Sequence, residues 1–130
     1  MKATDHEAQT GIAQFHREAL VIDALTPLYV LDEPYLQGLV EGGVDAGFLS
    51  IASPQPWDEV LRRTETALTK IEKSATLTLA TSATGIRRAK QEGKIALVLI
   101  TQAADMIEKE LKRVGILYRL GFRVLGICYT

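Results

Sequence analysis

Cysteine is almost missing from this sequence. The chain has one in 130 residues, Cys128, so no internal disulfide can hold the fold together. A single thiol in an apolar, strand-like run, with no base nearby, reads as a buried inert side chain rather than a nucleophile. A reducing, cytoplasmic setting fits that usage. Histidine is scarce as well. His6 and His16 both fall in the N-terminal helical region, and their separation is not the i, i+4 spacing of a helical zinc pair. They read as surface or packing residues. No long apolar run exists: the longest strictly apolar stretch, Ile95 to Ile100, is far short of the about 20 residues a membrane span needs. The polar start, Met1 to His6, has no apolar signal-peptide core. Both points argue for a cytoplasmic protein without a membrane partner.

Charge of one sign is missing too. Fifteen basic residues face 16 acidic ones, for a net charge of −1. No basic block offers itself to a phosphate backbone, so nucleic acid is not an expected partner. The densest basic spot, Arg87-Arg88-Ala89-Lys90, sits in a helical stretch and reads as a solvated face. The sequence has no Gly-x-Ser-x-Gly elbow. "VEGGVDAG" precedes and enters a strand, without the strand–loop–helix order of a phosphate loop. Repeats, heptads and low-complexity tracts are absent.

What is present is an ordinary globular composition, 47% hydrophobic and 24% charged, enough for one modest domain with a core. Residues 4–18 read as a helix, with Thr4 or Asp5 as cap and Ile12, Phe15 and Ala19 on one face. Leu20–Asp23 is the first strand. Asp32 to Glu41 reads as a short helix with Asp32 as cap and Pro34 in its first turn, ended by Gly42-Gly43. Val44–Ala52 is the second strand, where Gly47 suits a close backbone approach. Ser53–Pro56 is a loop. Trp57–Lys73 is the clearest helix, because Trp57, Val60, Leu61, Thr64, Leu68 and Ile71 keep one face. "TLTLAT", 76–81, alternates like a short strand. Ser82 or Thr84 caps the next helix, which Gly93 closes. Lys94–Thr101 is apolar on both alternating faces, the mark of a parallel strand covered on both sides. A helix over Ala104–Leu120 carries the stripe Ile107, Leu111, Val114 and Tyr118, with Asp105 in or capping its first turn. Gly121 follows, and Phe122–Tyr129 is the last strand.

Strands alternating with helical crossovers imply parallel pairing and right-handed connections. The expected fold class is α/β, built from parallel β/α units. Four main strands, at about 20–23, 44–52, 94–101 and 122–129, make half of an eight-stranded (β/α)8 TIM-type barrel. Residues 1–130 are therefore expected to form a single partial domain. The open edges and apolar faces of such a half barrel favour self-association.

Four stretches in order, "REALVID" (17–23), "LVEGGVDAGFLSIA" (39–52), "TSATGIRRAKQEGKIALVLI" (81–100) and "LYRLGFRVLGICYT" (117–130), resemble the N-terminal half of the membrane (renal) dipeptidase family of zinc peptidases. The resemblance implies a (β/α)8 barrel that hydrolyses dipeptides with two zinc ions at the C-terminal ends of its strands. In that family the first strand ends in Asp-Gly-His-x-Asp, whose His and second Asp are ligands, and the third ends in a Glu that bridges both metals. Further ligands come from later strands. A bridging carboxylate and imidazole hold two cations close together, so a shared water becomes a nucleophile near neutral pH.

The match departs from the family at those positions. Asp23-Ala24-Leu25-Thr26-Pro27 stands where Asp-Gly-His-x-Asp is expected. Leu25 replaces the histidine, Pro27 the second aspartate, and Gln102 the bridging glutamate. An amide is a weak zinc ligand and brings no charge against two dications. No metal and no other cofactor is therefore expected in this chain, although the resemblance implies zinc for the family. The remaining strand-end polar residues are Asp23, Thr26 and Gln102. Asp23 can serve as ligand or base, or close its own turn. Thr26 reads as a turn residue. Gln102 can orient a ligand or satisfy backbone groups. Trp57 reads as core. The resemblance implies a small peptide or amide substrate for the intact parent, with this chain alone inactive. The alternatives are a non-catalytic dipeptidase-like homologue, or a small-molecule-binding scaffold.

Overall fold

The computed structural model describes residues 11–127. Residues 11–18 are helical (α1). Five parallel strands follow: β1 Ile22–Pro27, β2 Ala46–Ala52, β3 Leu77–Leu79, β4 Ile95–Thr101 and β5 Phe122–Leu125. The helices between them are α2 Tyr35–Glu41, α3 Trp57–Lys73, α4 Ala83–Gln91 and α5 Lys112–Arg119, with 3-10 turns at Leu28–Leu31 and Asp105–Ile107. β1 pairs with β2, and β2 with β4. β2 takes one edge of β4, so the two remaining strands share the other. β3 pairs with Ile95–Leu97, and β5 pairs with Leu99–Thr101. The spatial path β1-β2-β4-β5 is the one expected of consecutive β/α units, with the short β3 inserted beside the start of β4.

β4 is buried along its whole length, and its alternating side chains feed two cores. Ile95, Leu97 and Leu99 pack with Leu49, Ile51, Val60, Ala67, Ile71 and Leu117, on the face covered by α3 and α5. Ala96, Val98 and Ile100 pack with Ala46, Ile86 and Ala89, under α4 on the opposite face. Two-sided cover explains why this strand lacks polar alternation. Trp57 is partly buried against the first core.

Several element boundaries differ from the sequence reading. The first strand runs over Ile22–Pro27 rather than Leu20–Asp23. β1 is an edge strand among the described residues, where proline costs no ladder bond, and Pro27 still registers with Ser50. β2 starts at Ala46 rather than Val44, and just before it the Asp45 side chain accepts from Val21 N at 2.8 Å. The segment before α2 forms a 3-10 turn, so the helix begins at Tyr35, not at Asp32. The Ala104–Leu120 helix is broken. A 3-10 turn covers Asp105–Ile107, Glu108 takes φ +50, and α5 starts only at Lys112. Leu111, Val114 and Tyr118 are consequently exposed, and Leu117 fills the core instead. Ile12 and Phe15 on α1 are 70% and 73% exposed rather than packed, and Leu61 on α3 is likewise exposed while Ala67 is buried. The last strand is Phe122–Leu125; Cys128, Tyr129 and residues 4–10 of the expected first helix, with His6, lie outside the described residues.

Other expectations hold. Ser82 is the cap of α4, its Oγ accepting from Gly85 N at 3.1 Å. Gly93 follows α4 at φ +68, the left-handed turn that a side chain disfavours. The basic spot on α4 is split. Arg87 and Arg88 are exposed, but Lys90 turns inward. Its Nζ bonds Asp45 Oδ2 and Ala19 O, each at 2.8 Å. One ammonium thereby ties α4 to the starts of β1 and β2. No described helix is long and apolar enough to cross a membrane.

Candidate functional site

All five strands run the same way, so their C-terminal ends form one rim. Register sets which residues meet there: Pro27 opposite Ser50, Ala52 opposite Thr101, and Thr101 opposite Leu125. Gln102 leaves β4 just past the ladder. Its backbone N donates to Ala52 O at 2.7 Å, and its side-chain Nε2 donates to Ser50 Oγ at 2.8 Å. Gly126 crosses directly behind it, and a Cβ on Gly126 would lie 2.2 Å from Gln102 O. Only a glycine lets the two backbones approach this closely.

A cleft of about 480 Å³ opens on this rim. Pro27, Ser50 and Gln102 form its floor. Arg63, Thr66 and Lys70 of α3 form one wall, and Tyr29 and Asp32 belong to the other. α3 reaches it because Val60, Thr64, Ala67 and Ile71 anchor the helix on the sheet, which leaves Arg63, Thr66 and Lys70 along the adjoining stripe. The charges are fixed in place. Arg63 Nε donates to Glu59 Oε1 at 2.7 Å and its Nη1 to Ile51 O at 3.4 Å. The Arg63 hydrogen bond holds the Glu59 carboxyl below the usual glutamate range, with Arg62 adding to the effect. Lys70 pairs with Asp32 across the cleft mouth. Tyr29 stacks edge-on against Tyr35, with ring centroids 5.1 Å apart.

The five residues singled out from the sequence separate into two groups. Pro27 and Gln102 line the cleft. Asp23, Leu25 and Thr26 do not. Thr26 Oγ1 donates to Asp23 Oδ2 at 2.7 Å, and Leu25 N donates to Asp23 Oδ1 at 3.1 Å, so both carboxylate oxygens are engaged within the irregular stretch of β1 itself rather than in a turn. Thr26 is fully buried against Gly47, while Leu25 is 51% exposed. Asp105 is exposed at the start of its 3-10 turn, and His16 is exposed beside Gly43. Among the described residues no three His, Cys, Asp or Glu side chains stand together as metal ligands would. Sequence reasoning passed over Ser50, Asp32, Arg63 and Lys70. The one signal was Ser50, a polar residue inside an otherwise apolar strand. The charged residues of α3 gave none, since a charged helical face normally means solvent.

Parallel β/α units whose strands end on a common cleft define a barrel-type α/β scaffold. The family model for membrane dipeptidase (peptidase family M19) matches residues 32–130, and the chain belongs to that family. No curated protein matches it. Among solved structures, an amidohydrolase from Pseudomonas aeruginosa aligns with TM-score 0.84 at 22% identity, over 90% of this chain and 36% of its own. Dipeptidase AC, a metallopeptidase of family M19, aligns with TM-score 0.72 at 18% identity, over 84% and 42%. A metallopeptidase from Rhodobacter sphaeroides, liganded with a phosphinate mimic of the dipeptide L-Ala-D-Ala, aligns with TM-score 0.69 at 17% identity, over 81% and 44%. The chain thus spans well under half the length of these structures, and the likeness establishes a shared fold.

Proposed function

We propose that this chain is the substrate-binding half of a peptidase-family protein directed at small peptides or related amides, and that the usual two-zinc site is not encoded in it. Membership of a metallopeptidase family supports the substrate class. One observation carries the rest: the Gln102 amide donates to the Ser50 hydroxyl at 2.8 Å, a neutral pair where the family resemblance calls for a bridging carboxylate. Leu25 and Pro27 offer no donor atoms at the other two positions. Asp23 spends both oxygens on Thr26 Oγ1 and Leu25 N. This donor set does not fit a pair of zinc ions, because two dications need anionic ligands to offset their charge and lost hydration. The rim instead offers hydrogen-bonding groups suited to an amide, the Ser50 hydroxyl and the Gln102 carboxamide.

The neutral floor also favours a second reading, a dipeptidase-like homologue that binds without catalysis. In either case a reducing, cytoplasmic setting agrees with the lone thiol, and the exposed apolar residues Ile22, Leu25 and Val124 on β1 and β5 favour self-association through these strands. The test is metal content and turnover. The purified chain, dialysed against zinc, is expected to hold no stoichiometric metal and to leave L-Ala-D-Ala intact. Two tightly held zinc ions, or metal-dependent hydrolysis, would refute the reading.

A further inference from the structure

We propose that two copies of this chain close into one barrel, with the β5 edge of each copy pairing in parallel with the β1 edge of the other. The inference rests on the self-association named above and fixes its geometry. Among the described residues the sheet has two open edges, because β1 pairs only with β2 and β5 only with β4. The face between those edges is unfinished. Register sets Ile22 beside Ala46, Phe48 beside Val98 and Val124 beside Ile100, so these side chains share the face that α4 packs against. α4 covers the middle strands, where Ala46 and Ala96 are fully buried, but Ile22 stays 44% exposed and Val124 41%. An open hollow of about 270 Å³ lies along Phe48, Val98 and Val124. On the other side of the sheet, Val114, Tyr118 and Leu125 border a groove between α5 and β5.

Charge decides which edge meets which. No lysine or arginine occurs between Arg17 and Arg62, a stretch that holds eight acidic residues and spans β1, α2 and β2. Glu18, Glu33 and Glu41 form no ion pair among the described residues. Glu18 and Glu41 accept only from the neutral amides of Gln14 and Gln37. The other edge has the opposite sign: Lys109 to Arg123 holds five basic residues and one acidic residue. Lys109, Lys112, Arg119 and Arg123 form no ion pair among the described residues. Pairing β1 with β1, or β5 with β5, would set like charges together. Pairing β5 with β1 sets opposite charges together. A two-fold axis along the barrel then makes two identical seams, and the strands β1, β2, β4 and β5 of both copies close with no free edge. Since all strands run the same way, both clefts open on one rim.

The experiment is sedimentation equilibrium of the full chain at low and high salt. A dimer of twice 14.3 kDa is expected. Its dissociation constant should rise at least about tenfold with salt, because screening weakens the attraction between the edges. I22K and V124K each bring a charge into both seams, from opposite sides. Each variant alone should be monomeric. Mixed, they should form a heterodimer, because the I22K copy keeps an unaltered β5 and the V124K copy an unaltered β1, which leaves one seam intact. Thermal melting monitors the folding of each variant, and the mass and salt dependence of the wild type test the proposal even if one variant unfolds. A monomeric wild type would overturn the proposal together with the self-association on which it rests. A dimer indifferent to salt, a dimer disrupted by only one of the two substitutions, or a mixture without heterodimer would mean pairing of like edges. A ladder of larger species would mean an open chain of copies. Each of these overturns the closed barrel and leaves self-association standing. Failure here is also distinct from failure of the peptidase-family reading, which depends on metal content and turnover.

Discussion

Substituting Gly47 with alanine tests how the strand that carries the candidate ligand positions is held. A Cβ at Gly47 would lie 2.5 Å from Thr26 Oγ1, 3.3 Å from Thr26 Cβ and 3.3 Å from Leu97 Cδ2. Thr26 is fully buried, and its hydroxyl is committed to Asp23 at 2.7 Å. It has nowhere to retreat without breaking that bond. Overpacking of a core costs about 1–3 kcal/mol, and a lost buried hydrogen bond about 0.5–1.5 kcal/mol. Against these, alanine regains about 0.5–1 kcal/mol of backbone entropy that glycine loses on folding. The balance is a loss of about 2 kcal/mol. For a chain of this size that lowers Tm by about 6–10 °C. T26A alone should cost about 1 kcal/mol, chiefly for its hydrogen bond. With the hydroxyl gone, adding G47A should cost far less than it does in the wild type. Urea unfolding of the four proteins gives the coupling energy, expected at about 1–2 kcal/mol in the sense of rescue. Additive effects, or a G47A protein that melts with the wild type, would show that Thr26 is not wedged between Gly47 and Asp23.

Two further outcomes are expected. Thr101 is buried beside Gln102, and its Oγ1 has no hydrogen-bond partner among the described residues; T101V should raise stability by about 1 kcal/mol, and a clear loss in urea unfolding would mean that the hydroxyl has a partner. K90M removes the ammonium shared by Asp45 and Ala19 O, a pair whose side chains are 28% and 14% exposed, between the surface and buried extremes, so it should cost about 1–2 kcal/mol, while R88A, whose partner Glu92 stands 3.6 Å away on the surface, should change stability by under about 0.5 kcal/mol; equal effects of the two would refute the distinction.

The sequence was legible where a single periodicity decided the outcome. β4 is apolar on both faces and is buried on both. α3 keeps its stripe because four buried positions recur at three and four residues. It was illegible where a long-range partner overrode the local pattern. Lys90 looks like the third charge of a solvated patch until Asp45, distant in sequence, is brought beneath it by the parallel register of β2 and β4. The stripe assigned to Ala104–Leu120 fails because the chain turns at Glu108, and each residue after the break is rotated relative to one continuous helix.

The candidate site shows the same division. Leu25, Pro27 and Gln102 are marked by their places in the family pattern, yet only Pro27 and Gln102 reach the cleft. Leu25 is outside it because the β1–β2 register shifts between Asp23 and Thr26, and a one-residue irregularity redirects a strand's side chains. The basic wall could not be read at all, since Arg63 and Lys70 differ from the other charges of α3 only in what lies opposite them. That opposite surface is assembled from residues 27–32 and 102, on either side of α3 in sequence. A function confined to this cleft therefore depends on register more than on motif: the residues at the three strand-end positions are visible in the chain, while the groups brought around them become visible only once β1, β2 and β4 are aligned.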